Sequence, residues 1–236
     1  MIAPFFHKRK SLLTGEVLSA AVDNHSHVLY GVDDGIQTLD DSLKVLNCME
    51  KARVETLWLT PHVMEDVPNT TAGLQERFAQ LQAAWSGTVR LCLAAEYMMD
   101  TLFVQRLRER DLLLHGGDLV LMETSTWSPP VDFWTMLGDT LKAGYRPLIA
   151  HPERYRYMGM NDYERLQKMG CRMQLNLPSI AGAYGEETKE KAQALLDKGW
   201  YAMFGSDCHR FHSLETLLEM EVLKPATLAQ LAAIKR

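Results

Sequence analysis

Apolar positions along the chain switch repeatedly between short runs and helical spacing. The runs at about 20–24, 56–60, 89–94, 119–122, 147–150, 172–177 and 201–205 have the length and bounding residues of strands. Between them lie helical patterns. One opens near Leu39, where Thr38 can cap, Asp41 completes a capping box, and Leu39, Leu43, Leu46 and Met49 form the apolar stripe. Over 71–85, Leu74, Phe78, Leu81 and Trp85 repeat at the same spacing. Shorter helices are predicted over 102–108, after Pro129-Pro130, and from Asn161 to a stop at Gly170. Another runs over 187–198, with Gly199 as its stop, and two more helical stretches finish the chain.

Strand–helix alternation of this kind predicts an α/β fold, a parallel sheet with helices packed on it. Seven strands are legible and an eighth has no home, so a closed or distorted barrel short of the eight-fold one is expected. No repeat, linker or low-complexity stretch divides the chain. A single domain over residues 1–236, with its core over about 20–210, is the expectation.

Composition narrows the class. Apolar residues make up 47% and charged residues 23%, which is ordinary globular usage and argues against disorder. The net charge of −5 argues against a nucleic-acid partner. No apolar run is long enough to span a bilayer, and the first residues lack the order of a signal peptide. Cys48, Cys92, Cys171 and Cys208 are far apart and form no CxxC pair, so buried, reduced thiols and a cytoplasmic setting are expected.

The residues at the strand ends change the picture. The first run ends in Asn24-His25-Ser26-His27, the second in Thr60-Pro61-His62, and the third in Ala95-Glu96. The fourth ends in Met122-Glu123, the fifth in His151-Pro152-Glu153-Arg154, and the seventh in Ser206-Asp207-Cys208-His209. In a barrel all these ends converge on one face. A lone histidine is more often structural or solvated than a ligand. Five of the eight histidines at strand ends are a different matter and point to a metal centre. Imidazole with carboxylate suits Zn, Mn or Fe. On extended backbone, residues i and i+2 point the same way, which pairs His25 with His27 and Asp207 with His209, and turns Cys208 away as a packing residue. His7, His115 and His212 are left as non-ligands. The Asp33-Asp34 pair, taken alone, reads as a turn.

Together these segments resemble the PHP (polymerase and histidinol phosphatase) family. DNHSHVLYGVDDG, LTPHV, AHPERY and QLNLPSIAGAYG are most similar to its bacterial protein-tyrosine phosphatases of capsule and exopolysaccharide clusters. The resemblance runs from about Asp23 to His209. It implies a distorted (β/α)7 barrel holding three divalent ions, commonly Mn, Fe or Zn. By motif, His25, His27 and Asp207 would hold the first ion, with Glu96 bridging to a second completed by Glu123 and His151. Asp34, His62 and His209 would hold the third; the second aspartate of the pair is the one that matches. Arg154 matches a phosphate-contacting arginine. The family's later arginine has no match, which leaves Arg210 as the candidate for a second phosphate contact, and Cys208 stands where a small residue is usual.

The resemblance implies metal-dependent hydrolysis of phosphotyrosine in a protein substrate, a bacterial tyrosine autokinase governing polysaccharide export. Metal-lowered water pKa, Arg154 as a phosphate grip, and His209 or Asp207 as proton donor to the phenolate are the expected parts. No cysteine is followed six positions on by arginine: Val54, Met98, Leu177 and Leu214 stand there, so the cysteine-nucleophile route is excluded. Tyr30, Trp127, Tyr155, Tyr157 and Tyr184 either wall a phosphotyrosine pocket or pack the surface. Rival readings are a histidinol-phosphate or other small-phosphoester phosphatase, a non-catalytic metal-binding scaffold, and an amidohydrolase, whose carboxylated lysine finds no place here. Oligomeric state is not legible.

Overall fold

The structure is a computed structural model and describes residues 9–234. Among the described residues nine short strands form two parallel sheets. One has the order β1 (Val22–Asp23), β2 (Thr56–Leu59), β4 (Arg90–Leu93). The other runs β3 (His62–Val63), β5 (Glu96–Met98), β6 (Leu119–Glu123), β7 (Arg146–Ala150), β8 (Arg172–Asn176), β9 (Met203–Gly205). Together they make a curled parallel sheet in a mixed α/β fold. The strand runs read from the sequence hold to within a few residues. β3 and β5 are additional to them, because each resumes after an interruption, at Thr60-Pro61 and at Ala94-Ala95. Leu177 falls in a predicted strand run but begins a helix instead, with Pro178 in the first turn, where its missing N–H costs nothing.

Nine α-helices are described: α1 (Leu39–Lys51), α2 (Thr71–Ala84), α3 (Thr101–Glu109), α4 (Phe133–Lys142), α5 (Met160–Lys168), α6 (Leu177–Ala181), α7 (Glu186–Asp197), α8 (Phe211–Glu219) and α9 (Pro225–Ala233). Thr38 caps α1 as expected, with Oγ1 accepting from the Asp41 N–H at 3.2 Å, but the box is not completed: Asp41 Oδ2 accepts from the Thr38 hydroxyl at 2.8 Å and not from its backbone N–H. Such a cap contributes about 1 kcal/mol. Gly170 and Gly199 follow α5 and α7 at φ +84° and +64°, as their predicted stop roles require.

One large apolar cluster joins the strands to the inner faces of the helices, with Leu57, Leu59, Val120, Ile149, Met173 and Phe204 from the sheets at 0–1% exposure. Leu121, Leu148 and Ala150 form a smaller buried group on the other sheet face. Among the described residues no helix is long and apolar enough to cross a membrane. All four cysteines are unpaired; Cys171 and Cys208 are buried, whereas Cys48 and Cys92 keep partial exposure, contrary to expectation.

Sheet register explains why distant side chains meet. His62 pairs with Glu96 and Met98 with Glu123. On the other side, backbone bonds join the segment after β1 to the segment after β9: Asn24 N–H to Phe204 O (3.2 Å), Asp207 N–H to His25 O (2.8 Å) and His27 N–H to Cys208 O (3.0 Å). His25 and His27 thereby sit beside Asp207 and His209.

Candidate metal centre

The strand-end donors expected in the site lie in one cluster, buried at His25, His27, Glu96, Glu123, His151 and Asp207 and partly open at His62 and His209. His25 Nε2 and His27 Nε2 are 3.0 Å apart, and both face Glu96 Oε2, at 3.1 and 3.3 Å. Asp207 Oδ1 lies 3.5 and 3.4 Å from the same two nitrogens. His62 Nδ1 faces Glu96 Oε2 at 3.2 Å and Glu123 Oε1 at 3.0 Å, and His151 Nε2 faces Glu96 Oε1 at 3.1 Å. Asp34 Oδ1 lies 3.6 Å from His62 Nε2 and 3.4 Å from His209 Nε2. The donors fall into three overlapping groups: His25, His27, Glu96; His62, Glu96, Glu123; and His27, Asp34, His62, His209, each with its ligand atoms within 4.8 Å.

Hydrogen bonds decide what these atoms present to one another. His25 Nδ1 is 2.8 Å from Gln174 Oε1, and the Gln174 amide is oriented by its Nε2–H, which donates to Asn24 O at 3.0 Å. His25 Nδ1 is therefore the protonated nitrogen. His27 Nδ1 likewise donates to Asp33 Oδ2 at 2.8 Å. In both neutral rings Nε2 is then a bare lone pair. Two lone pairs 3.0 Å apart, beside the carboxylates of Glu96 and Asp207, repel unless positive charge sits among them. The same need shows in the proton affinities. Burial opposes charge on His25, yet Glu96 and Asp207 outweigh it and lift its pKa to about 9. His27 is raised as well, against burial, by Asp207, Asp33 and Glu96. Borderline nitrogen donors with shared carboxylates, each ring held by an outer partner, fit divalent transition ions.

The outer partners escape the sequence pattern. Asp33, which reads as a turn residue, accepts from His27, from the Gly35 N–H (2.9 Å) and from the His62 N–H (3.0 Å), while neighbouring Asp34 points outward with its side chain 69% exposed. Asp23 Oδ1 accepts from the Ser206 N–H (2.8 Å) and the His25 N–H (3.3 Å); burial pushes its pKa up to about 6 against those bonds. Asn176 donates to Asp207 Oδ2 at 2.9 Å, and its own N–H is held by buried Glu153. The signal that could reveal them is a polar residue inside an apolar strand, as Gln174 and Asn176 are in β8.

Two glycines permit the close approach. A Cβ on Gly35 would lie 2.2 Å from His27 O, and one on Gly205 2.4 Å from His25 Cβ. His151 and Asp207 have φ of 34° and 52°, left-handed values that cost free energy in non-glycine residues and cluster at functional positions.

Beside the cluster opens a cavity of about 530 Å³, bordered by Arg154, Tyr184, Asp207, His209 and Arg210, with Leu214, Leu217 and Met220 as its apolar wall. Arg154 Nη1 donates to Asp207 Oδ2 at 3.0 Å, and its guanidinium lies 4.5 Å from the Tyr184 ring centre. Arg210 does not mirror it: Nη1 bonds to the backbone carbonyls of Asp34, Gly35 (2.8 Å) and His209 (2.9 Å).

Other candidates separate. Tyr155 is fully buried and stacks on Tyr157, Tyr30 sits under Arg77 on α2, and exposed Trp127 stacks on Arg156, so of the five aromatics it is Tyr184 that borders this cavity. Buried His115 donates from Nε2 to Asn24 O and stacks on Trp58, and His212 is 93% exposed beside Glu215. His7 lies outside the described residues. Buried Cys208 packs in the core, as expected, with its thiol pKa pushed up by burial.

A family model described as "Capsular polysaccharide synthesis, CpsB/CapC" matches residues 21–219. The tyrosine-protein phosphatase YwqE of Bacillus subtilis is 28% identical over 213 residues, covering 85% of this chain and 84% of that one. The tyrosine-protein phosphatase CpsB of Streptococcus agalactiae is 26% identical over 208 residues, covering 80% and 82%. A crystal structure from the pair YwqE of Bacillus subtilis and CpsB of Streptococcus pneumoniae, described as unique metal-dependent tyrosine phosphatases, superposes with a TM-score of 0.75. It is 23% identical and covers 91% of this chain and 95% of its own, a likeness of fold.

Proposed function

Because the chain belongs to the CpsB/CapC family of capsular polysaccharide synthesis, we propose that it hydrolyses phosphotyrosine in proteins with the help of divalent metal ions. The observation that carries this reading is the pair of facing Nε2 atoms of His25 and His27, set between Glu96 and Asp207 and next to Arg154. His25, His27, Glu96 and Asp207 would hold one ion; Glu96, Glu123 and His151, with His62, a second; Asp34, His62 and His209 a third. Mn, Fe or Zn suits these donors. Such ions neutralise phosphate charge and make water nucleophilic at neutral pH.

The chain's own groups do the rest. Arg154 is anchored through one nitrogen on Asp207, which leaves the remainder of its planar fork for phosphate oxygens. Asp207 cannot serve as proton donor: one oxygen takes bonds from Arg154 and Asn176, and the other faces His25 and His27. Of the two expected donors, His209 has Nδ1 held by the Asp207 carbonyl and Nε2 toward Asp34, so it can pass a proton from Nε2 only when that nitrogen holds no ion. A phenolate needs little help to leave, since the tyrosine pKa is about 10. The cavity wall of Tyr184, Leu214 and Leu217 offers the ring apolar surface.

Three finer readings accompany this one. The two sheets form one distorted (β/α)7 barrel, a single domain, with β2 and β3 as one interrupted stave, β4 and β5 as another, and the backbone bonds of Asn24, His25 and His27 to Phe204, Asp207 and Cys208 closing the seam. The substrate is a bacterial tyrosine kinase that governs capsule or exopolysaccharide synthesis. Free cysteines suit a reducing, cytoplasmic setting. The test of substrate is phosphate release with added Mn from a phosphotyrosine peptide against histidinol phosphate. Release from the peptide alone is expected; release from histidinol phosphate alone overturns the substrate and keeps the site.

A further inference from the structure

Asp34 is the least supported of the clustered donors. Its side chain is 69% exposed, and its carboxylate stands 3.4–3.6 Å from His209 and His62 with the loop at its back. Arg210 joins that loop to the segment after β9. Arg210 Nη1 bonds to the carbonyls of Asp34, of Gly35 (2.8 Å) and of His209 (2.9 Å). Two N–H groups serve three acceptors, so this nitrogen is saturated by backbone. It ties residues 175 and 176 positions away in the chain to its own neighbour His209. Without such a tie, the loop entropy released would be taken from the geometry of Asp34 and His209.

We infer that Arg210 is a positioning residue: through Nη1, which is saturated by backbone carbonyls, it fixes Asp34 and His209 against each other. This rests on the metal-dependent phosphatase reading above. It departs from the expectation that Arg210 supplies a second phosphate contact. A lysine would keep the charge and lose the planar fork, so Arg210→Lys is the informative conservative change.

The test uses the full chain prepared with Mn, as Arg210→Gln, Arg210→Lys and Arg154→Lys, with metal content read by mass spectrometry. Inhibition by inorganic phosphate, peptide kinetics, and amide exchange at Gly35 and Ile36 are read alongside. For both Arg210 variants the expected results are weaker retention of one Mn per chain, by about 10–100-fold, and faster exchange at Gly35 and Ile36. Their kcat falls while the phosphate inhibition constant stays within about two-fold. Arg154→Lys shows the reverse, with metal retained and phosphate inhibition weakened by about ten-fold or more. Arg210 variants that keep their metal and exchange rates but bind phosphate as poorly as Arg154→Lys overturn the positioning role. If the unsubstituted protein holds no Mn and releases no phosphate from the peptide, the functional reading falls and this inference falls with it. If it turns over peptide but Arg210→Lys matches it in every readout, the inference alone falls.

Discussion

Gln174 Oε1 stands 2.8 Å from His25 Nδ1 and fixes which nitrogen of that ring carries the proton. The amide can do so because Asn24 O holds its other end. Replacing Gln174 by leucine removes the acceptor, lets the ring turn or change tautomer, and leaves Nε2 no longer committed to the cluster. Metal affinity should fall by about 10–100-fold. Titration of the stripped protein with Mn checks it, and Gln174→Glu, which keeps an acceptor, should bind far more tightly than Gln174→Leu.

Asp33 and Asp34 are neighbours with opposite tasks, and their alanine variants should separate. Asp33→Ala strands the His27 Nδ1–H and two backbone N–H groups in a buried site, at a cost of about 1–3 kcal/mol for each unsatisfied group. A clearly lowered melting temperature is expected in the metal-free protein. Asp34→Ala removes an exposed carboxylate, so the metal-free melting temperature should barely move while metal content drops. Equal melting temperatures for the two variants would contradict this division.

Gly35→Ala and Gly205→Ala should both fail to fold stably, because the added carbon meets His27 backbone and His25 at 2.2 and 2.4 Å. Gly138 is the control. It lies inside α4 with nothing within 4 Å of an added Cβ, so Gly138→Ala should raise stability by about 0.5–1 kcal/mol. Chemical denaturation of the three variants checks both directions.

His115 gives the pH dependence. Burial is the main cause that lowers its pKa from 6.5 to about 4, with the bond to Asn24 O acting the other way. The folded state therefore holds a neutral ring that the unfolded chain protonates. Its contribution is complete above about pH 6.5 and is lost as pH falls toward 4, with a slope of up to about 1.4 kcal/mol per pH unit. Relative to the parent, His115→Gln should lose less stability between pH 7 and pH 5. A parallel fall in both proteins would count against it.

Fold and site are legible to different depths. Period and punctuation place α1 and its Thr38 cap, the stops at Gly170 and Gly199, and most strand runs, because those signals are local. β3 and β5 stay hidden since two or three residues after a break carry no period of their own. The donor residues stand out because chemistry-bearing side chains recur where strands end. Their supports do not. Asp33 inside VDDG looks like any turn aspartate until His27 and His62 are folded against it, and Gln174 looks like a defect in an apolar strand. Arg210 is a phosphate contact only by analogy of position, and its bonds to Asp34 and Gly35 span a chain separation that no local pattern encodes. Nearness to Arg154 places Tyr155 at the mouth, but its side chain turns inward beneath Thr124, whose N–H it accepts.

If turnover belongs to the His–carboxylate cluster and not to a thiol, a chelator and an alkylating agent must act differently. The direct test is phosphate release from a phosphotyrosine peptide after treatment with EDTA and, separately, with iodoacetamide. EDTA should abolish release, added Mn should restore it, and iodoacetamide should leave it intact. Release that survives EDTA and is lost with iodoacetamide would contradict the metal-centred reading.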